Sequence, residues 1–296
     1  MSARTTSARN ASAPNAARRL LSLNLAAACV AAFAPAARAA FTTFSVGGTT
    51  LPSSISPTID NFRAAIGGVN NGNAAGPLGS GRREINWDGG GALVASVGGT
   101  PLTGFTNTRG GTMSTAGTGF LQTPLADVAL TGIQASYATT FATFSDLRIF
   151  TPTGSNVTDV TFSIPGTGGA TQATVSAFGA VFSDVDLANT TTIEFFDLSN
   201  ALLQLFNVPQ GMPGAAPTAT LSFVGAVANA GEQIARVRIT TGNQALGAAD
   251  SNGNPVDVVV MDDFIYAEPV GIPEPAGATL AIAALIAASQ RRRRRD

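Results

Sequence analysis

Ile234-Ala235-Arg236-Val237-Arg238-Ile239 and, further on, Val258-Val259-Val260-Met261 are the stretches whose reading decides the fold. In the first, Val237 and Ile239 alternate with Arg236 and Arg238, a period of two that buries one face of a strand and wets the other. The second is apolar on both faces, as a central strand must be. Working outward, strand-like runs cover Val157 to Ile164, Ala173 to Phe182, Thr191 to Phe196, Leu202 to Val208, Thr220 to Val227, Ile234 to Thr240 and Val256 to Tyr266. Gly, Asn, Pro and Asp turns separate them, and no run keeps a helical period over three turns. The pattern predicts an all-β body, a jelly-roll-like β-sandwich with Gly/Asn-rich loops.

The first half, Phe41 to about Pro152, is less regular and rich in Gly and Asn. It offers strands near Glu84 to Asp88 and Leu93 to Val97, and a weakly helical stretch at Ile59 to Ile66 placed to cap one end. Long loops over the sandwich and a second small β-subdomain are both compatible with it. One continuous domain is favoured, because no Pro-rich or charged linker divides the halves and no fixed-period repeat occurs.

The chain has 296 residues, no histidine, one cysteine (Cys29) and 17 basic residues, every one an arginine. Without histidine, Ser-His-Asp and Cys-His nucleophilic machinery is impossible. Zinc sites built from His and Cys and intrachain disulfides are excluded as well. The net charge of −1 averages unlike segments. Residues 40–271 carry 7 arginines and 16 acidic residues, so 7 − 16 = −9. An acidic body argues against nucleic acid or an anionic membrane as partner.

The remaining arginines lie in the two ends. Arg4, Arg9, Arg18 and Arg19 precede an apolar stretch from Leu20 to about Phe33, and then Ala37-Arg38-Ala39. That order is that of a secretory signal peptide over 1–39, with small residues Ala37 and Ala39 for signal peptidase and cleavage after Ala39. A lipobox at Ala26-Ala27-Ala28-Cys29 and a twin-arginine signal at Arg18-Arg19-Leu20-Leu21 are the alternatives.

At the other end, Ile272-Pro273-Glu274-Pro275 leads into the apolar run Ala276 to Ala288 and then Arg291, Arg292, Arg293, Arg294 and Arg295, before Asp296. As a helix the run is roughly 20 Å long against a hydrocarbon core of roughly 30 Å, which suits a transient hold. The arginines stop transfer and stay on the cytoplasmic side. An ordinary tail anchor is the bland alternative. Pro-Glu-Pro, a hydrophobic helix and a terminal arginine cluster resemble the PEP-CTERM sorting signal of bacterial exported proteins. The stretch from Ala177 to Glu268 is similar to the bodies of such proteins, which close on a strand like Val259-Val260-Met261-Asp262-Asp263-Phe264-Ile265-Tyr266. It also has a looser likeness to galactose-binding-like jelly rolls. The first resemblance implies transient membrane insertion through the C-terminal helix, recognition by an exosortase, cleavage near Pro273-Glu274-Pro275, and release to the cell surface, envelope or extracellular matrix. On that reading residues 272–296 are the sorting signal, and the partners are exosortase and the secretion machinery.

Within the body, Asp184 and Asp186, then Asp250, Asn252, Asn254 and Asp257, then Asp262 and Asp263 supply clustered oxygen ligands. Hard cations such as calcium take six to eight oxygens, so a structural calcium ion joining the sheets is one reading. Turn and strand-end caps, and a hairpin loop built on Asn252-Gly253, are the other. The sequence requires no cofactor. The pairs Asp184/Glu194 and Asp262/Asp263 are formal candidates for glycoside cleavage, but one Trp and two Tyr make a poor sugar cleft. A hydrolase is therefore the distant reading.

Arg82, Arg83, Asn86, Trp87 and Asp88 form the most unusual polar segment. They suit a shallow glycan site, Trp87 stacking on a sugar face and the others bonding hydroxyls. The favoured reading is a core tryptophan at a strand end with an Arg–Asp or Arg–Glu pair fixing a loop. The expected function is an exported, non-enzymatic protein associating with extracellular polysaccharide, or else a structural matrix protein with no discrete ligand.

Overall fold

The computed structural model describes residues 39–89, 96–212, 218–250 and 255–272. The strands are β1 (Phe41–Gly47), β2 (Arg82–Ile85), β3 (Ser96–Gly98), β4 (Gly111–Ser114), β5 (Gly119–Pro124), β6 (Arg148–Thr153), β7 (Val157–Ser163) and β8 (Gln172–Thr174). They continue with β9 (Ala177–Ser183), β10 (Thr192–Phe196), β11 (Leu202–Asn207), β12 (Leu221–Ala228), β13 (Arg236–Thr240), β14 (Val260–Ala267) and β15 (Val270–Gly271). All pairings between these strands are antiparallel and fall into two sheets. The first runs β1-β12-β9-β14-β6-β5-β3, with β2 also on β14. The second runs β11-β10-β13-β7-β8-β15, with β4 on β7.

The alternation at 234–239 has its expected effect. Val237 and Ile239 are buried while Arg236 and Arg238 stay at the surface. With Val160, Ile193 and Phe195 of the second sheet they meet Phe150, Phe178, Phe182, Phe264 and Tyr266 of the first. That shared interior gives the molecule its sandwich-like character. Strand β14 is buried along its whole length, flanked by β9 on one side and by β2 and β6 on the other.

Burial on both faces of β14 requires cover on the outer side too. The helix α1 (Ser56–Ala65) supplies it: Ile55, Ile59, Phe62 and Ile66 pack on Val181, Phe223 and Ile265. A second patch, built from the short helices α2 (Val128–Thr131) and α3 (Tyr137–Thr140), places Leu130, Tyr137 and Phe141 over Ile149 and Val260. The expectation that α1 caps one end is therefore corrected, because it lies flat on the first sheet. Room for it comes from Gly179 and Gly225, paired across β9 and β12. A Cβ on Gly225 would stand 3.0 Å from the Phe62 ring and 2.9 Å from that of Phe223.

The irregular first half joins both sheets, β1, β2, β3 and β5 in the first and β4 in the second, with loops between them. One further expectation changes. The run Ala173 to Phe182 is two strands, β8 in the second sheet and β9 in the first, broken at Val175 and Ser176. Apolar periodicity continues through that switch, so nothing local marks it. Ala40 already bonds into the body through Glu232 and Asn229, directly after the proposed cleavage point at Ala39. Ala37 and the sorting signal, Pro273, Glu274, Pro275 and Arg291 to Arg295, lie outside the described residues. Among the described residues no helix is long and apolar enough to cross a membrane, and Ala276 to Ala288 are not among them.

Candidate functional site

The segment 82–88 folds inward. Trp87 is 1 % exposed. Its ring stacks on Phe150 at 3.7 Å, with Phe105 and Phe264 edge-on. Its indole N–H donates to the Asp262 carbonyl at 2.6 Å. With both faces covered, Trp87 is no sugar platform, which corrects that reading. Arg83 is fully buried and bidentate to Glu268, 2.6 Å from Nε to Oε2 and 2.6 Å from Nη2 to Oε1. Its Nη1 donates to the Gly72 and Ala74 carbonyls. Arg82 pairs with Glu84. Asp88 accepts from Arg148 N and Ser145 Oγ at 3.1 Å each. Asn86 alone is exposed. The Arg82, Arg83, Trp87 and Asp88 side chains thus spend their polar groups on the protein itself.

Asp262 and Asp263 occupy a register irregularity in β14, between Met261 and Phe264. Such a bulge lets neighbouring side chains reach one partner, and Ser145 Oγ contacts both, at 3.2 Å and 2.8 Å. Burial and the adjacent Asp263 charge push the Asp262 carboxyl well up. Burial likewise carries Asp263 to about 6. Phe144 N donates to Asp262, and Arg63 stands 3.8 Å from Asp263. Both are buried and are not among the carboxylates that converge at Asp184. The glycosidase pairing Asp184/Glu194 has no support in the geometry either. Glu194 faces Arg238 across β10 and β13, whereas Asp184 is buried beside Asp186.

The carboxylates of Asp184, Asp186 and Asp250 do converge, with one oxygen from each lying within 4.8 Å of the others. Asp184 is fully buried, immediately after β9, in left-handed backbone at φ 71°. Its Oδ1 accepts from Ala219 N at 2.9 Å, while Oδ2 has no hydrogen-bond partner. Asp250 accepts from Val258 N at 2.7 Å. Asp257 stands beside the group and spends both oxygens, on Asp186 N and on the Thr190 hydroxyl. Burial, then the Asp186 and Asp250 charges, push Asp184 up to about 9. Burial and the charges of Asp250 and Asp257 carry Asp186 to about 6. Asn252 and Asn254 lie outside the described residues.

A second surface was not legible as a site beforehand. On the wet face of the second sheet, cross-strand neighbours form the rows Phe196-Arg236-Thr161-Thr112 and Glu194-Arg238-Asp159-Ser114. Asp159 bridges both arginines, 2.5 Å from Arg236 Nη1 and 2.9 Å from Arg238 Nη2. Arg236 lies 3.7 Å over the Phe196 ring and donates from Nε and Nη2 to Asn200 Oδ1. Beside it opens a hollow of about 340 Å³ lined by Thr112, Thr161, Gln172, Leu198, Asn200 and Arg236 among others. The signal available in the sequence was the outward parity of Arg236 and Arg238, but their partners lie on other strands. Comparisons with protein-family models, with curated proteins and with solved structures found no match to this chain.

Proposed function

We propose that this is an exported, non-enzymatic cell-surface or matrix protein, a jelly-roll-like sandwich that associates with extracellular polysaccharide through the wet face of its second sheet. The Arg236 hollow carries that reading. Each Arg236 Nη has two N–H groups and spends one on Asp159 or Asn200, so one remains on each for a sugar hydroxyl. Thr112, Thr161 and Gln172 add donors and acceptors around it. Hydroxyl-rich neutral glycans fit this set better than polyanions, which the charge of −9 over residues 40–271 repels. Export and exosortase sorting rest on the residues at both ends, Ala37 and Ala39, then Pro273-Glu274-Pro275 and Arg291 to Arg295.

The test is retention of the secreted protein on insoluble neutral polysaccharides. Wild type is expected to be held, and Arg236→Ala to be released while melting normally. No retention, or equal retention by Arg236→Ala, refutes the glycan reading. Mass spectrometry of the released protein tests sorting, and a C-terminus still carrying Arg291 to Arg295 overturns it.

A structural matrix role without a discrete ligand has one observation in its favour. The edge strand β11 and its turn expose Leu198, Leu202 and Leu205. An apolar open edge is a template for pairing with another copy. Concentration-dependent assembly abolished by Leu202→Lys, with no glycan retention, would favour that role instead.

A further inference from the structure

The three converging carboxylates lie where the chain passes between the sheets. Asp184 and Asp186 begin the crossover from β9 in the first sheet to β10 in the second. Asp250 lies on the return crossover, from β13 to β14. A third crossover, β11 to β12, docks on the same spot. Ala219 N donates to Asp184, Gln210 Nε2 to the Asp186 carbonyl, and Gly211 N to the Val185 carbonyl at 3.1 Å. One point therefore touches three of the four links the chain makes between the sheets from β9 to β14.

The chemistry of that point is one-sided. The charges acting on Asp184 are those of Asp186, Asp250 and Asp257, all negative. A buried carboxylate is ordinarily paired or hydrogen-bonded, yet Asp184 Oδ2 has no partner while its other oxygen is engaged. Calcium takes oxygen ligands at about 2.3–2.6 Å, so two ligands of one ion stand at most roughly 5 Å apart. The spread within 4.8 Å meets that limit. Oxygen-only donors select a hard cation over a thiophilic one.

We propose that Asp184, Asp186 and Asp250 form a calcium site that pins three of the crossovers between the two sheets. Asp257 is a positioning residue, holding the Asp186 backbone N–H and the Thr190 hydroxyl from the side. The proposal is independent of the glycan reading, since it concerns a different face and its readout needs no sugar.

The experiment is calcium titration of the full chain after EDTA treatment and dialysis, followed by calorimetry and by thermal melting. With a Kd of about 10 µM, 1 mM calcium is a hundredfold excess and raises the Tm by roughly 5–10 °C. Asp186→Asn and Asp250→Asn are expected to weaken calcium binding tenfold or more. Their metal-free melting temperatures, compared with wild type, show that both variants fold. Asp186 and Asp250 are both partly exposed, so neither substitution falls at a fully buried position. Absence of both heat and a Tm shift in wild type overturns the site. So does an equal shift with potassium chloride at matched ionic strength, which would be charge screening, or an unchanged calcium response in both variants.

Discussion

Replacing Arg83 with methionine separates a structural role for the 82–88 segment from a ligand-binding one. The guanidinium is fully buried and bonded twice to Glu268 at 2.6 Å, with Nη1 on the Gly72 and Ala74 carbonyls. Methionine keeps most of the apolar stem and removes every one of those donors. Glu268 keeps Asn71 Nδ2 at 2.8 Å and Leu78 N at 3.2 Å, but it is left as a carboxylate facing no cation. Breaking a buried pair from one side costs about 3–5 kcal/mol. In a body of this size that is a drop of roughly 6–20 °C in Tm. Urea unfolding followed by tryptophan fluorescence measures it, since the single tryptophan, Trp87, is 1 % exposed and reports the core. Adding Glu268→Leu removes the stranded charge, so the double variant should lose less than the sum of the two single variants. A loss below about 1 kcal/mol for Arg83→Met, the level of an exposed ion pair, would refute the reasoning, because it would mean that water already reaches the pair.

Gly225→Ala should cost about 1–3 kcal/mol by overpacking against Phe62 and Phe223. Phe62→Leu in the same background should return part of that stability to urea unfolding; no loss in the single variant would mean that α1 does not dock there. Trp87→Phe should lose about 1–3 kcal/mol with the bond to the Asp262 carbonyl, and polysaccharide retention should be unchanged. Asp262 and Asp263 set a pH dependence. Both carboxyls are raised in the folded state, Asp263 to about 6, above an ordinary value of 3.8. The folded state therefore holds protons that the unfolded state has released, and stability falls as pH rises from about 4 through 6. Denaturation at pH 5 and pH 7 should show the decline, and Asp263→Asn should make it shallower, the raised Asp184, Asp186 and Asp262 carboxyls keeping the rest; a wild-type stability that rises across that range would contradict the sign.

What the sequence determined by itself is whatever a strand writes along its own length. Val237 and Ile239 alternating with Arg236 and Arg238 fixed a half-buried strand, and the continuous apolar run at Val258 to Met261 led into a strand covered on both sides. Those patterns depend on one chain segment and the face it shows to water, so they need no partner to be legible. The acidic residues were legible as candidates too, and Asp184, Asp186 and Asp250 proved to be neighbours.

Only the tertiary structure decided which candidates share a place. Asp263 follows Asp184 in type and exposure, yet a register irregularity in β14 turns it toward Ser145 and Arg63 instead. Trp87 reads as a sugar platform or a core residue until Phe150 covers its face. Arg236 finds Asp159 and Asn200 across strands separated in sequence by dozens of residues. The break between β8 and β9 is silent because the apolar period runs through it. In each case the deciding contact is long-range, made by strand pairing and by the return of crossovers between the sheets, and no local pattern of side chains encodes it.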